Sequence, residues 1–198
     1  VVYVLKTHRY RSLNLFQKFP WPDVAEIGKI IKLGLPISVT MVLDSGFFSV
    51  IALLMGQLGH IGLAAHQVAL NYATLVFMIP VGLSSAIMVR VGQSMGRGQV
   101  EQACFRGCLG MGTVVVLLVP FSLLAAIAPE LVIHVYTRDP DVVPLAVVLM
   151  TVAAVFVVFD GLKITGEGAL RGMKETTSPM IISLVSYWLV GFPAAWLF

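Results

Sequence analysis

Long apolar runs separated by short polar stretches organise this chain. Residues 33–55, 61–89, 107–129, 142–162 and 178–198 are each almost free of charge. A helix needs about 20 apolar residues to cross a hydrocarbon core roughly 30 Å thick. Barrel strands would be about 10 residues long and would alternate in and out. The five windows are too long and too evenly apolar for that, so they predict five transmembrane helices. The polar stretches between them predict loops, with Gly92, Gly96 and Gly98 as turn and packing residues in the second loop.

Composition agrees with this pattern: 58% of the 198 residues are hydrophobic, only 12% are charged, and the mean hydropathy is +0.93. Soluble domains carry about 25% charged residues. The shortfall excludes a disordered protein and a nucleic-acid module, and argues against a water-soluble enzyme. The two cysteines, Cys104 and Cys108, match no metal motif and cannot staple a chain of this size. One helical turn apart and beside Gly107 and Gly110, they read as small packing residues.

The positions of the 13 Lys and Arg residues predict topology. Six precede the first window (Lys6, Arg9, Arg11, Lys18, Lys29 and Lys32), and residues 56–60 hold none. The next connections carry three (Arg90, Arg97, Arg106), one (Arg138) and three (Lys163, Arg171, Lys174). That alternation fits five crossings, with the cationic connections retained in the cytoplasm. Residues before Leu33 are therefore expected to be cytoplasmic and the last residue to lie outside. The pI near 9.0 then expresses membrane orientation rather than a nucleic-acid surface. Residues 1–5 read as the tail of an earlier span and 6–32 as a cytoplasmic linker bearing Pro20 and Pro22, ahead of a membrane domain over 33–198. Starting at Val1 and stopping in Trp196-Leu197-Phe198, the chain reads as part of a longer protein.

Charge inside a span costs about 2.5–3.5 kcal/mol on insertion scales and marks pathways. Two carboxylates stand out. Asp44 lies 11 residues before Met55, about 16 Å from the outer edge and near the midplane. Asp160 is equally deep if Arg171 marks the cytoplasmic edge, and shallow if Lys163 does. Lys163, Glu167 and Arg171 follow Asp160 at i+3, i+7 and i+11. They form one helical stripe of alternating sign suited to mutual pairing, which faces a wet cavity or simply leads out into the cytoplasm.

In the second span His66 and Gln67 are followed by Asn71 and Thr74 on the face of Gln67. These groups line a binding cavity or relay protons, or else join helices by hydrogen bonds. Pro36, Pro80, Pro120 and Pro193 each free a carbonyl and bend a helix, with Pro36 the expected flexing point before Asp44. Tyr187 and Trp188 fit an interface or a core equally well.

With these residues in view, the chain resembles the multidrug and toxic compound extrusion (MATE) family, in its bacterial NorM-like branch. The stretches that carry the resemblance are Leu33-Gly34-Leu35-Pro36-Ile37, Ala64-Ala65-His66-Gln67-Val68-Ala69-Leu70-Asn71 and Arg90-Val91-Gly92 with Gly96. Tyr136-Thr137-Arg138-Asp139-Pro140 and Ala169-Leu170-Arg171-Gly172-Met173-Lys174-Glu175-Thr176 add to them. The resemblance implies an all-α integral membrane protein of two pseudo-symmetric six-helix lobes, with this chain supplying five helices of the C-terminal lobe. It places the protein in the bacterial inner membrane, with the N-terminal lobe and the bilayer as partners and no nucleic acid.

The same resemblance matches Asp44 and Asp160 to the family's acidic residues of the seventh and tenth spans, implicated in coupling-cation and substrate binding. Asp44 is one methylene shorter than the glutamate common there. Around these two, as an Na⁺ or H⁺ site, the expected cation- and substrate-binding residues are Gln67, Asn71, His66 and Lys163. No cofactor is implied beyond the coupling ion.

The implied mechanism is antiport of hydrophobic or cationic compounds by alternating access. Low dielectric favours the neutral form of a carboxyl, so proton, Na⁺ and drug compete for one negative site, exposed to each side in turn by rocking lobes. A lipid-linked oligosaccharide flippase of related fold is the alternative and calls for several cavity-facing cations, for which Lys163 is the candidate. An intramembrane aspartyl protease would carry Gly-x-Gly-Asp, but Val42-Leu43 and Val158-Phe159 precede the two aspartates.

Overall fold

The computed structural model describes residues 23–57 and 59–197. Among them every regular element is helical: α1 (Val24–Gln57), α2 (His60–Gly96), α3 (Val100–Ile127), α4 (Pro129–Tyr136), α5 (Val143–Gly172) and α6 (Thr177–Ser183). A π-helix, π1 (Leu184–Gly191), and α7 (Phe192–Leu197) complete the order. The helices α1, α2, α3 and α5 are long and apolar enough to cross a membrane. The stretch of the fifth expected span forms α6, π1 and α7 in succession, and its apolar helix over 177–191 is shorter than those four. The expected tail at 1–5 and most of the linker at 6–32 lie outside the described residues, and residues 24–32 are the first turns of α1.

The core is the three-helix packing of α2, α3 and α5. Val76, Val114, Leu118, Met150 and Ala154 are almost wholly enclosed there. Because lipid tails are as apolar as these side chains, close backbone approach and hydrogen bonds hold such helices together. Gly161 provides the approach: a Cβ there would run into the Leu118 side chain and touch Pro80. Gly168 does the same on the next two turns, where a Cβ would meet the backbone carbonyl of Ser84 at 2.6 Å. Three hydroxyls then stitch the bundle by donating to main-chain carbonyls. Ser84 donates to Ile164 at 2.7 Å, Ser122 to Ala154 at 2.6 Å and Tyr72 to Phe121 at 2.6 Å.

The helices run further than the polar stretches suggested. α2 continues through Gly92 and Gly96, which are helical rather than loop residues. It stops at Gly98, whose φ of +73° suits glycine. Arg106 secures that end by donating to Ser94 Oγ at 2.7 Å. Likewise α5 continues to Gly172, so Lys163 does not mark its end. Lys163 and Arg171 are helix residues, not members of the last connection, because the intervening Ile164, Thr165, Gly166 and Ala169 keep the segment compatible with a packed helix. After α3 the chain makes an element that was not anticipated, the eight-residue α4. Pro129 starts it, and the buried Val132 and Ile133 insert it into the core.

α1 is different in kind. Its one buried residue is Thr40, whose hydroxyl donates to Pro36 O at 2.8 Å. It packs on α6, α2 and π1, and it reaches α5 chiefly through long side chains. π1 lies directly ahead of Pro193, which has no N–H and whose ring clashes with the carbonyl four residues back. Widening the preceding turn accommodates the ring, and the N–H of Phe192 reaches Tyr187 O, five residues back.

Candidate functional site

Between α1, α5 and π1 runs a polar seam edged by aromatic rings. Lys163 Nζ donates to Asp44 Oδ2 at 2.6 Å, an ion pair between residues 119 apart in sequence. Both side chains are about three-quarters enclosed, each 24% exposed. The same ammonium lies 3.3 Å from Glu167 Oε1 and 4.7 Å from the centre of the Tyr187 ring. Arg171 donates to the other carboxylate oxygen of Glu167 at 2.9 Å. Asp160, one turn before Lys163, lies within electrostatic reach of Lys163, Asp44 and Glu167, but among the described residues forms no ion pair of its own.

These residues meet because α5 presents Asp160, Lys163, Glu167 and Arg171 along one side at helical spacing. The expected pairing within that stripe holds for Glu167 with Lys163 and with Arg171. Lys163, however, makes its shortest bond across to α1 rather than back to Asp160. With all five groups ionised, three carboxylates face two cations, which leaves one negative charge unmatched. Asp44 Oδ1 and Glu167 Oε1 are both buried without a hydrogen-bond donor. The seam therefore keeps acceptor capacity for a further cation.

The aromatic wall comes from two elements. Phe47 and Phe48 follow Asp44 at i+3 and i+4 on α1, and π1 contributes Tyr187 and Trp188. Phe47 lies 4.9 Å from Tyr187 and Phe48 lies 6.0 Å from Phe156 of α5, centre to centre. Trp188 Nε1 donates to Leu43 O at 3.2 Å, which ties π1 to α1 beside Asp44. Gly46 leaves room for this ring, since a Cβ there would stand 3.3 Å from Trp188. Wide π turns often occur where a helix must aim side chains at a functional site. The structure thus places Tyr187 and Trp188 at the seam, a choice that sequence left open. Phe47 and Phe48 could have been found by their helical spacing from Asp44, whereas the ring over Lys163 had no local signal.

The α2 candidates are elsewhere. Gln67, Asn71 and Thr74 share an exposed face of α2, opposite the buried Val68, Tyr72 and Val76. His66 is half-buried, with Nε2 enclosed and without a hydrogen-bond partner. None of the four makes a hydrogen bond or ion pair with the Asp44–Lys163 seam. Among the described residues no cluster of three His, Cys, Asp or Glu could hold a metal ion.

A polar seam among apolar helices is common to many membrane proteins, so the family is decided by comparison. The profile of the MatE family matches residues 36–197. The chain belongs to the MatE family. Relatives within reach of this MatE chain include the multidrug resistance protein PmpM of Pseudomonas aeruginosa, 39% identical over 98% of this chain and 41% of its own length. The probable multidrug resistance protein NorM of Xanthomonas campestris is 38% identical over 97% of this chain and 42% of its own. The multidrug resistance protein MdtK of Yersinia pseudotuberculosis is 34% identical over 98% and 43%. The MatE chain described here thus spans about two fifths of the length of these relatives. Family membership, with four helices long and apolar enough to cross a membrane, puts it among multi-pass membrane proteins and not among enzymes.

Proposed function

We propose that the protein is a secondary active multidrug efflux transporter of the bacterial inner membrane, exchanging hydrophobic or cationic compounds for H⁺ or Na⁺, and that this chain supplies its C-terminal cation site. The observation that carries the reading is the convergence of Asp44 and Asp160 on one aromatic-edged seam holding more carboxylates than cations. An apolar body would rest on Phe47, Phe48 and Tyr187 while its positive charge meets a carboxylate. Coupling follows because the coupling ion and the drug seek the same unmatched negative charge. Alternating access would come from movement of this lobe against a second one, and the cationic connections would face the cytoplasm. The exposed Gln67, Asn71 and Thr74 would then line the space between lobes. The relatives named for multidrug resistance support the substrate class. The flippase alternative gains nothing from the seam, since Lys163 and Arg171 are both engaged by carboxylates there and, among the described residues, the seam offers no free cation for a phosphate.

The test is drug resistance of a susceptible host carrying the whole transporter. Asp44→Asn and Asp160→Asn should each abolish resistance at normal membrane abundance. Full resistance in both variants would remove the site assignment. Vesicle efflux measured with imposed Na⁺ or pH gradients identifies the coupling ion.

A further inference from the structure

We propose that Lys163 is a tethered competitor at the cation site: its ammonium occupies Asp44 in place of a cationic substrate, and yields by swinging to Glu167. The inference rests on the reading of the seam as the substrate site and concerns how that site is regulated.

The surroundings of Lys163 Nζ are those of an ammonium receptor. A carboxylate oxygen lies at 2.6 Å, an aromatic face at 4.7 Å and a second carboxylate oxygen at 3.3 Å. Carboxylate plus ring is the chemistry that recognises any organic cation with some apolar surface. Here the chain's own side chain fills it. The second carboxylate belongs to Glu167, whose side chain is only 5% exposed and whose Oε1 accepts no hydrogen bond. Glu167 Oε2 is already held by Arg171, which fixes the carboxylate in place. The four-carbon stem of lysine is flexible, and its ammonium is a point charge with no preferred fork geometry. Lys163 already lies 3.3 Å from Glu167 Oε1, so when an incoming cation takes Asp44 the ammonium closes on Glu167 and keeps an ion-pair partner.

Two consequences follow for binding. A tethered group acts at an effective concentration in the millimolar range or above, so only cations that hold Asp44 better than Lys163 does will load. The apparent affinity of any cation is also reduced by the fraction of time that Asp44 is free. Neutral compounds resting on the aromatic wall do not meet this competition. Lys163 therefore sets the threshold between cationic and neutral substrates.

The experiment measures binding of tetraphenylphosphonium, a permanent cation, to the purified whole transporter by equilibrium dialysis. If Asp44 is free about one tenth of the time, Lys163→Gln binds the probe about tenfold more tightly than the parent. Glu167→Gln removes the charged resting place and binds the probe several-fold more weakly. Opposite signs are the signature. Both variants shifting the same way, or Lys163→Gln leaving affinity unchanged or weaker, would overturn the proposal, since a purely structural pair behaves so.

Should Lys163→Gln fail to fold, Lys163→Met, which keeps the stem and removes the charge, takes its place. Tighter probe binding again supports the proposal, and unchanged or weaker binding overturns it. Loss of probe binding in Asp44→Asn with the wrong sign in Lys163→Gln would fail this inference alone. A parent transporter that binds no probe, or an Asp44→Asn variant that binds it unchanged, would fail the site reading as well.

Discussion

On one side of α5, Ala146, Met150, Ala154 and Val157 are packed into α2 and α3 with almost no exposure. On the other side of the same helix, Phe156, Asp160, Lys163 and Glu167 meet α1 and π1 through charges and rings. The first contact is held by backbone proximity, with glycines and hydroxyl-to-carbonyl bonds at the crossing. The second is held by long side chains across a gap, and α1 keeps only Thr40 buried. Close-packed interfaces change only by discrete repacking, whereas side chains with several rotamers can exchange partners while the helices stay put. The core is thus suited to keep the lobe in one piece and the seam to exchange occupants.

The sharpest way to break this comparison is to separate the core helices. Gly168→Val brings side-chain carbons against the Ser84 main chain, which cannot move aside as a flexible side chain could. Overpacking of this kind costs about 1–3 kcal/mol or more. Membrane abundance and melting temperature of the whole transporter in detergent should both fall sharply, and normal values for both would refute the role assigned to Gly168.

At the seam, Asp44→Ala leaves the Lys163 ammonium short of its main partner in a mostly enclosed site, which costs about 1–3 kcal/mol. Asp44→Ala/Lys163→Met removes both charges and should recover most of that stability while remaining inactive. A double variant no more stable than the single one would show that the pair does not act as a unit.

Tyr72→Phe and Ser122→Ala each delete one stitch of the core. Interhelical hydrogen bonds in membranes average about 0.6 kcal/mol, so each should lower the melting temperature slightly with drug resistance unaltered. Loss of resistance in Tyr72→Phe at normal abundance would instead place Tyr72 in the transport path.

The smallest effect is at Glu175, outside the spans. Its Oε1 accepts from the N–H of Ser178 at 3.0 Å, the Ser178 hydroxyl at 3.2 Å and the Thr177 N–H at 3.1 Å. The Ser178 N–H above all holds this carboxyl below its ordinary value of 4.5. The contribution is therefore present above that value and fades as pH falls through the lowered one. Glu175→Gln should slightly reduce stability at pH 7 and match the parent in strong acid. Any gap that widens toward acid would contradict the capping role.

Much of this molecule was legible in its sequence, for reasons that can be traced to particular residues. The long uncharged runs dictated membrane helices, because length against bilayer thickness is a one-dimensional quantity. The stripe from Asp160 to Arg171 was legible for the same reason, since helical spacing fixes which residues share a face. Helix ends were less legible: Gly92, Gly96 and Lys163 looked like loop residues, yet packing carries α2 and α5 past them. α4 was hidden because eight residues give too short a period, and the burial of Ile133 depends on how α4 folds back onto α3 and α5.

What only the tertiary structure decided is partnership. Lys163 could have paired with Asp160, three residues before it, and instead bonds Asp44, 119 residues away. Tyr187 could have faced lipid, and instead covers the Lys163 ammonium from a π turn. A helix's own pattern states which side a residue occupies, but the choice among partners on that side depends on where other helices stand. Those positions are set by packing of the whole bundle, which no local stretch encodes.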